Sequence, residues 1–422
     1  MTHSPPKALG QMPPPTGMHW STRPLSGPDG EDWRVPVSEL VQRQSRTAEA
    51  VANAGQSSIW VQDPVDMYWL VGNRQTGGVH VHANGIVTQY VRNSLERAIF
   101  ESGETDAPHQ IVAHPRMSAL SEVIGDSPAL QLGRMPASDA TFMQSKLGNG
   151  GDCTQLLWTL RETKSDWEIE RMKESGDIQR LMFDAIKENG GEGITEIELA
   201  AAADEVSRAT GFAGHIRMRK WPMDCERVVI ASGSAGAVPT FFDSAVGATG
   251  PHPLAALGAG FKRIGKGEPV IVDIVHVHRG YVADMTRMFS AGPMDEVWNQ
   301  RLSNMDEIAR AIQDSLARGE HCSEAWNIGH RMAEEMGHGE HLMGQGPDQA
   351  KFLGHSIGLE LDETPVVAAG FDRPLSIGGT MAIEPKVIHP DGAIGVEDCW
   401  VRTSDGMECL SSGEDFPLWT EW

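Results

Sequence analysis

Apolar residues spaced three and four apart from Ser38 to Ala54, with charges between them, predict a helix. Ser58-Ile-Trp-Val-Gln then predicts a strand, followed by Asp66-Met-Tyr-Trp-Leu. Val79-His-Val-His and Ile86-Val-Thr-Gln-Tyr-Val alternate with a period of two around Asn84-Gly85, the signal of a hairpin. Gly148 to Gly151 reads as a linker. Beyond it, Ser165 precedes Glu168 by three residues, the spacing of a capping box at the start of a long amphipathic helix. Thr195-Glu-Ile-Glu198 repeats that spacing. After Arg227 the pattern changes to strands at Val228-Val-Ile-Ala, Val270-Ile-Val-Asp and Met288-Phe-Ser. Helices resume over Asp295 to Leu316 and Ser323 to Met336, and the C-terminal stretch alternates short strands and turns. Two rounds of helix, helix, strands are visible in outline.

Five residues in the last third carry the candidate chemistry. Asp273 ends the strand run Pro-Val-Ile-Val-Asp, and Asp284 lies eleven residues on, in Gly280-Tyr-Val-Ala-Asp284. A hairpin turning at His278-Arg-Gly280 sets both side chains on one face. Glu384 and Glu397 repeat this arrangement around His389-Pro-Asp-Gly392, and His355 sits in Gly354-His-Ser-Ile-Gly. Four carboxylates and one imidazole gather in a core only with compensating positive charge. A donor set rich in oxygen, with one histidine, favours two divalent ions drawn from Fe, Mn, Co or Zn.

The chain has 422 residues, enough for two domains. Its formal net charge of -23 argues against nucleic acid and against an anionic membrane surface. Five scattered cysteines without a C-x-x-C pair suggest reduced thiols and a cytoplasmic location. Residues 1–35 are punctuated by Pro and Gly and lack an apolar signal core, so they read as an extended arm. Residues 36–150 read as an α/β domain, and residues 155–422 as the domain that holds the metals.

The segments IVDIVHVHRGYVADMTR, FLGHSIGLELDETP, MAIEPKVI and GVEDCWV closely resemble the methionine aminopeptidase, prolidase and creatinase superfamily of "pita-bread" metalloenzymes. Over the first domain the likeness is looser and rests on DMYWLVGNRQTGG. The resemblance implies an α+β fold, a pita-bread domain after a creatinase/prolidase-like α/β domain, and a homodimer. It implies that Asp273, Asp284, His355, Glu384 and Glu397 are all metal ligands. Peptidases of the superfamily carry a further histidine seven residues after the ligand histidine, where this chain has Asp362. An upstream histidine of theirs falls near Ala255, three residues from His252. Asp362-Glu-Thr-Pro365 is similar to a segment of the superfamily's dimethylsulfoniopropionate lyases, which has one residue less between it and the ligand histidine. That likeness implies β-elimination of a small-molecule substrate to dimethyl sulfide and acrylate, with Asp362 as the base. The alternative is an Xaa-Pro dipeptidase or aminopeptidase, in which hydroxide held by the metals attacks the amide.

A sulfonium cation would be held by aromatic faces, which makes Tyr68, Trp69 and Trp221 candidates for substrate binding. Arg287 could hold a substrate carboxylate or pair with a ligand carboxylate, and His215 is a further pocket candidate.

Overall fold

The computed structural model describes residues 20–22, 25–27, 30–103, 107–125, 127–212, 215–220, 223–413 and 416–422. Most of the expected N-terminal arm therefore lies outside the described residues. The chain divides into two compact units, Met1–Arg161 and Glu162–Trp422.

In the first unit the order is α1 (Val37–Asn53), β1 (Ser58–Val61), α2 (Pro64–Val71), β2 (Gly77–His82), β3 (Val87–Val91), α3 (Leu95–Ser102), β4 (Gln110–Ala113), α4 (Leu120–Ile124), β5 (Ala129–Leu130), α5 (Ala137–Leu147) and α6 (Thr154–Glu162). The strands form one sheet in the order β4-β3-β2-β1-β5. The expected hairpin is β2–β3, closed by the Val81–Val87 pair. The stretch Asp66 to Leu70 is helical. Asp63 accepts hydrogen bonds from the amides of Val65 and Asp66, and Pro64 starts the helix with a preset φ.

The second unit repeats one plan twice. α7 (Asp166–Asn189) and α8 (Glu196–Ala209) lead to β6 (Val228–Ser232), β7 (Val270–His278) and β8 (Tyr281–Ser290). α9 (Glu296–Ala317) and α10 (Cys322–Glu335) lead to β9 (Phe352–Ser356), β10 (Glu363–Ala368), β11 (Thr380–Ile383), β12 (Lys386–His389), β13 (Gly392–Gly395), β14 (Asp398–Arg402) and β15 (Met407–Cys409). A last strand, β16 (Trp419–Glu421), joins the first set, giving β16-β8-β7-β6 beside β10-β9-β11-β14-β15. The mixed α+β architecture is the expected one. Each helix pair buries an apolar stripe against its own sheet. Met182, Phe183 and Ile186 of α7 pack with Ile230, Val272 and Met285, while Ile308 and Ile312 of α9 pack with Leu353, Met381 and Ile383. Both capping boxes are present, at Ser165–Glu168 and Thr195–Glu198.

Candidate metal centre

The two residues of the β7–β8 turn, Arg279 and Gly280, have φ of 49° and 95°. Positive φ at both central positions is the two-residue turn whose twist matches a hairpin. It sets a register that pairs Val275 with Asp284 and Asp273 with Thr286. Paired residues share a face, so the Asp273 and Asp284 carboxylates rise from the same side, two positions apart.

The second acidic pair comes from a ribbon interrupted in its middle. β11 and β14 pair as far as Ile383 and Asp398, and β12 and β13 resume from Lys386 and Gly395. Between them stand Glu384-Pro385 on one side and Val396-Glu397 on the other. Pro385 has no amide hydrogen, so the ladder is broken there. The freed groups find other strands. The Glu384 amide donates to Leu353 O at 3.0 Å, and the Thr286 amide donates to Glu397 O at 3.3 Å. Glu384 is thereby laid beside β9, which carries His355, and Glu397 beside β8, which carries Asp284.

The result is a cluster of buried or nearly buried donors. Asp284, His355 and Glu397 each offer a ligand atom, and these atoms lie within 4.8 Å of one another. His355 Nε2 is 3.3 Å from Glu384 Oε1. The other ring nitrogen of His355 lies 3.2 Å from Ser356 O; donating there leaves Nε2 a lone pair for an ion. Asp284 Oδ1 and Glu397 Oε1 are buried and have no hydrogen-bond partner among the described residues. Unpartnered buried carboxylate oxygens that converge with a histidine are the donors a divalent ion needs. The residues present fit the expected metals.

The charges confirm how crowded the cluster is. Burial, then the neighbouring Glu397 and Asp273, hold Asp284 well above the ordinary carboxylate range. Burial and Glu384 push Glu397 up to about 8. Burial would lower His355, but its hydrogen bond to Glu384 and the charges of Glu384 and Glu397 raise it to about 9. Glu384 is itself buried, yet Lys386 and His355 draw it down to about 2.

Other side chains hold the donors in place. Thr286 Oγ1 donates to Glu397 Oε2 at 2.9 Å. The Asp284 amide donates to Cys399 Sγ at 3.2 Å. Arg287 donates to Glu397 O at 2.9 Å and pairs with both oxygens of Asp398, at 3.0 and 2.9 Å. It is therefore buried in an ion pair beside the ligand strand, and the carboxylate it grips is Asp398. Lys386, which the spacing argument passed over, is the largest surprise. Its Nζ lies 2.6 Å from Glu384 Oε2, 2.7 Å from Glu397 Oε2 and 3.3 Å from Asp273 Oδ2. The legible signal was the alternation of Glu384 and Lys386, two positions apart.

The Asp362 carboxylate accepts hydrogen bonds from the Arg219 and Lys220 amides, at 2.5 and 2.9 Å. Both of its oxygens are thus engaged in fixing a loop. Trp69 is fully buried in the core of the first unit, with the Arg43 guanidinium 5.5 Å from its ring. Tyr68 is half-buried on α2. His215 is exposed, and so is His252, whose Nδ1 accepts from the Leu254 amide within its own turn. Trp221 lies outside the described residues.

Comparison with known proteins corrects the expected reaction. An Xaa-Pro dipeptidase of Pyrococcus furiosus is 23% identical over 360 residues, covering 84% of this chain and 93% of that protein. A probable dipeptidase PepE of Mycobacterium bovis is 26% identical over 401 residues, covering 90% and 96%. Among solved structures, dipeptidase PepE from Mycobacterium ulcerans aligns with a TM-score of 0.74 at 22% identity, over 92% of this chain and all of the other. Both of these sequence relatives, which match along most of the chain, are named as dipeptidases, so the expected C–S lyase acting on dimethylsulfoniopropionate does not stand. The role of Asp362 as base of that elimination falls with it. The model of metallopeptidase family M24 matches residues 170–404, a span that takes in all five candidate ligands and makes this chain a member of that family, whose cofactor is a pair of divalent metal ions.

Proposed function

We propose that this chain is a metal-dependent Xaa-Pro dipeptidase. The observation that carries the reading is the convergence of Asp284, His355 and Glu397, with buried oxygens of Asp284 and Glu397 left unpartnered; Glu384 adjoins them through His355, and Asp273 through Lys386. Those five side chains are proposed as the ligands of two divalent ions. The name of the Pyrococcus furiosus relative, Xaa-Pro dipeptidase, supplies the substrate class, a dipeptide ending in proline.

Bound divalent ions polarise a carbonyl and make water acidic enough to attack it near neutral pH. The residues of this chain supply the rest. Thr286 and Arg287 fix Glu397 through its carboxylate and its carbonyl, and Ser356 O orients the His355 ring. Burial of the cluster keeps the charges strong by excluding water. A homodimer in the cytoplasm completes the proposal. The five thiols, all unpaired, are compatible with a reducing compartment.

The test is hydrolysis of a panel of dipeptides with and without a C-terminal proline by Mn(II)- or Co(II)-loaded protein. Hydrolysis that stops on chelation and returns with the ion supports the reading. Cleavage restricted to dipeptides without proline would leave a metallopeptidase but sink the Xaa-Pro assignment. Light scattering on the same preparation checks the dimer.

A further inference from the structure

Lys386 has no place in a plain account of five ligands around two ions. Its ammonium sits among three of the proposed ligands, with Glu384 Oε2, Glu397 Oε2 and Asp273 Oδ2 all within 3.3 Å. Room for it is built in. A Cβ on Gly395, its cross-strand partner, would stand 2.4 Å from Lys386 Cγ. The side chain is fully enclosed, at 2% exposure.

Glu384 and Glu397 each turn their two oxygens to different sides. Their Oε2 atoms face the ammonium. Glu384 Oε1 instead faces His355 Nε2, and Glu397 Oε1 is one of the unpartnered buried oxygens. The cluster therefore has two unequal halves. The half formed by Asp284, His355 and Glu397 is open to an ion. The half formed by Asp273, Glu384 and Glu397 already holds a cation covalently attached to the chain.

From this division, which rests on the five residues being metal ligands, we infer that Lys386 competes with the second divalent ion for its carboxylates. The first ion binds at Asp284, His355 and Glu397 without moving Lys386. The second must expel a buried, triply paired ammonium, which costs binding energy because the amine loses its partners in a dry site. The two ions therefore bind with separate affinities, and the enzyme passes through a state with a single ion over a wide range of metal concentration.

The experiment is a calorimetric titration of metal-free full-length protein with Mn(II), read together with the Mn(II) electron paramagnetic resonance spectrum. The native protein is expected to take one ion tightly and a second at least about tenfold more weakly, since tenfold is the smaller effect of altering the groups around a metal's ligands. At one equivalent the spectrum is that of an isolated ion. In Lys386→Met both ions bind with similar affinity, and spin-coupled pairs appear near two equivalents. Lys386→Arg keeps the charge and keeps the second site weak, which separates charge from packing. Circular dichroism shows whether each variant is folded, and Lys386→Gln, which also removes the charge, is read in its place if Lys386→Met is not. Two equal sites in the native protein would overturn the inference while leaving the ligand assignment intact. A native protein that binds no ion would overturn the ligand assignment itself, and the inference with it.

Discussion

The side chains that set the behaviour of the cluster include several that never touch a metal. Thr286 is the clearest, because its hydroxyl gives Glu397 Oε2 a hydrogen bond at 2.9 Å inside a fully buried pocket. Thr286→Val keeps the volume and removes the donor. It is expected to weaken divalent-ion binding about tenfold, the usual cost of losing an orienting partner, with little change in fold. Calorimetry with Mn(II) measures it, and an unchanged affinity would mean that the hydroxyl only fills space. Asp273 and Asp284 were legible as a pair because a two-residue turn joins β7 to β8 and fixes their register close along the chain. Asp362 was misread for the opposite reason. The amides it holds come from residues 143 and 142 positions away, and no local pattern announces that contact. An aromatic that packs in a core and one that faces a ligand look alike in sequence, and the Arg43 guanidinium over the buried Trp69 ring appears only in three dimensions.

Among the elements, the long helices were the most legible and the interrupted ribbon the least. Ser165 and Thr195 announce α7 and α8 through the same local chemistry, each hydroxyl accepting from the amide three residues on, at 3.2 and 3.3 Å. The two caps differ in what lies behind them. Glu168 also accepts a hydrogen bond from the Tyr281 hydroxyl at 2.9 Å, which ties the start of α7 to the start of β8. Ser165→Ala and Thr195→Ala should each cost about 1 kcal/mol. The Ser165 change should be the larger, because releasing Glu168 also loosens a buried tie to the strand that carries Asp284. Urea denaturation of the two variants side by side gives the comparison; equal losses would show that the tie survives without the cap. The break between β11 and β12 was not legible as such. Pro385 marks it, but the partners of the freed groups, Leu353 O for the Glu384 amide and the Thr286 amide for Glu397 O, lie on β9 and β8, far along the chain.

For the molecule as a whole, the gathered charges link stability to pH and to metal. The signs follow from where each group moves on folding. His355 is raised from 6.5 to about 9, so its contribution is fully present below pH 6.5 and lost as pH rises through about 9. Glu397 is raised from 4.5 to about 8, so the stability its neutral form gives the fold is fully present below pH 4.5 and lost as pH rises through about 8. Glu384 is lowered to about 2; its contribution is present above pH 4.5 and lost only as pH falls toward 2, so it is constant near neutrality. Metal-free protein should therefore lose stability between about pH 6 and about pH 9. A divalent ion has the opposite preference, because it binds the deprotonated donors and must displace the protons on His355 and Glu397. Ion binding stabilises the folded state by an amount that grows as the dissociation constant falls. The rise in Tm produced by a fixed Mn(II) concentration should accordingly be larger at about pH 8.5 than at about pH 6, while the Tm of chelator-treated protein falls over the same interval. Differential scanning calorimetry with and without Mn(II) at the two pH values separates the two trends. A metal-induced rise that is flat or shrinks with pH would mean that His355 and Glu397 are not the groups the ion deprotonates, and would move the metal elsewhere in the fold.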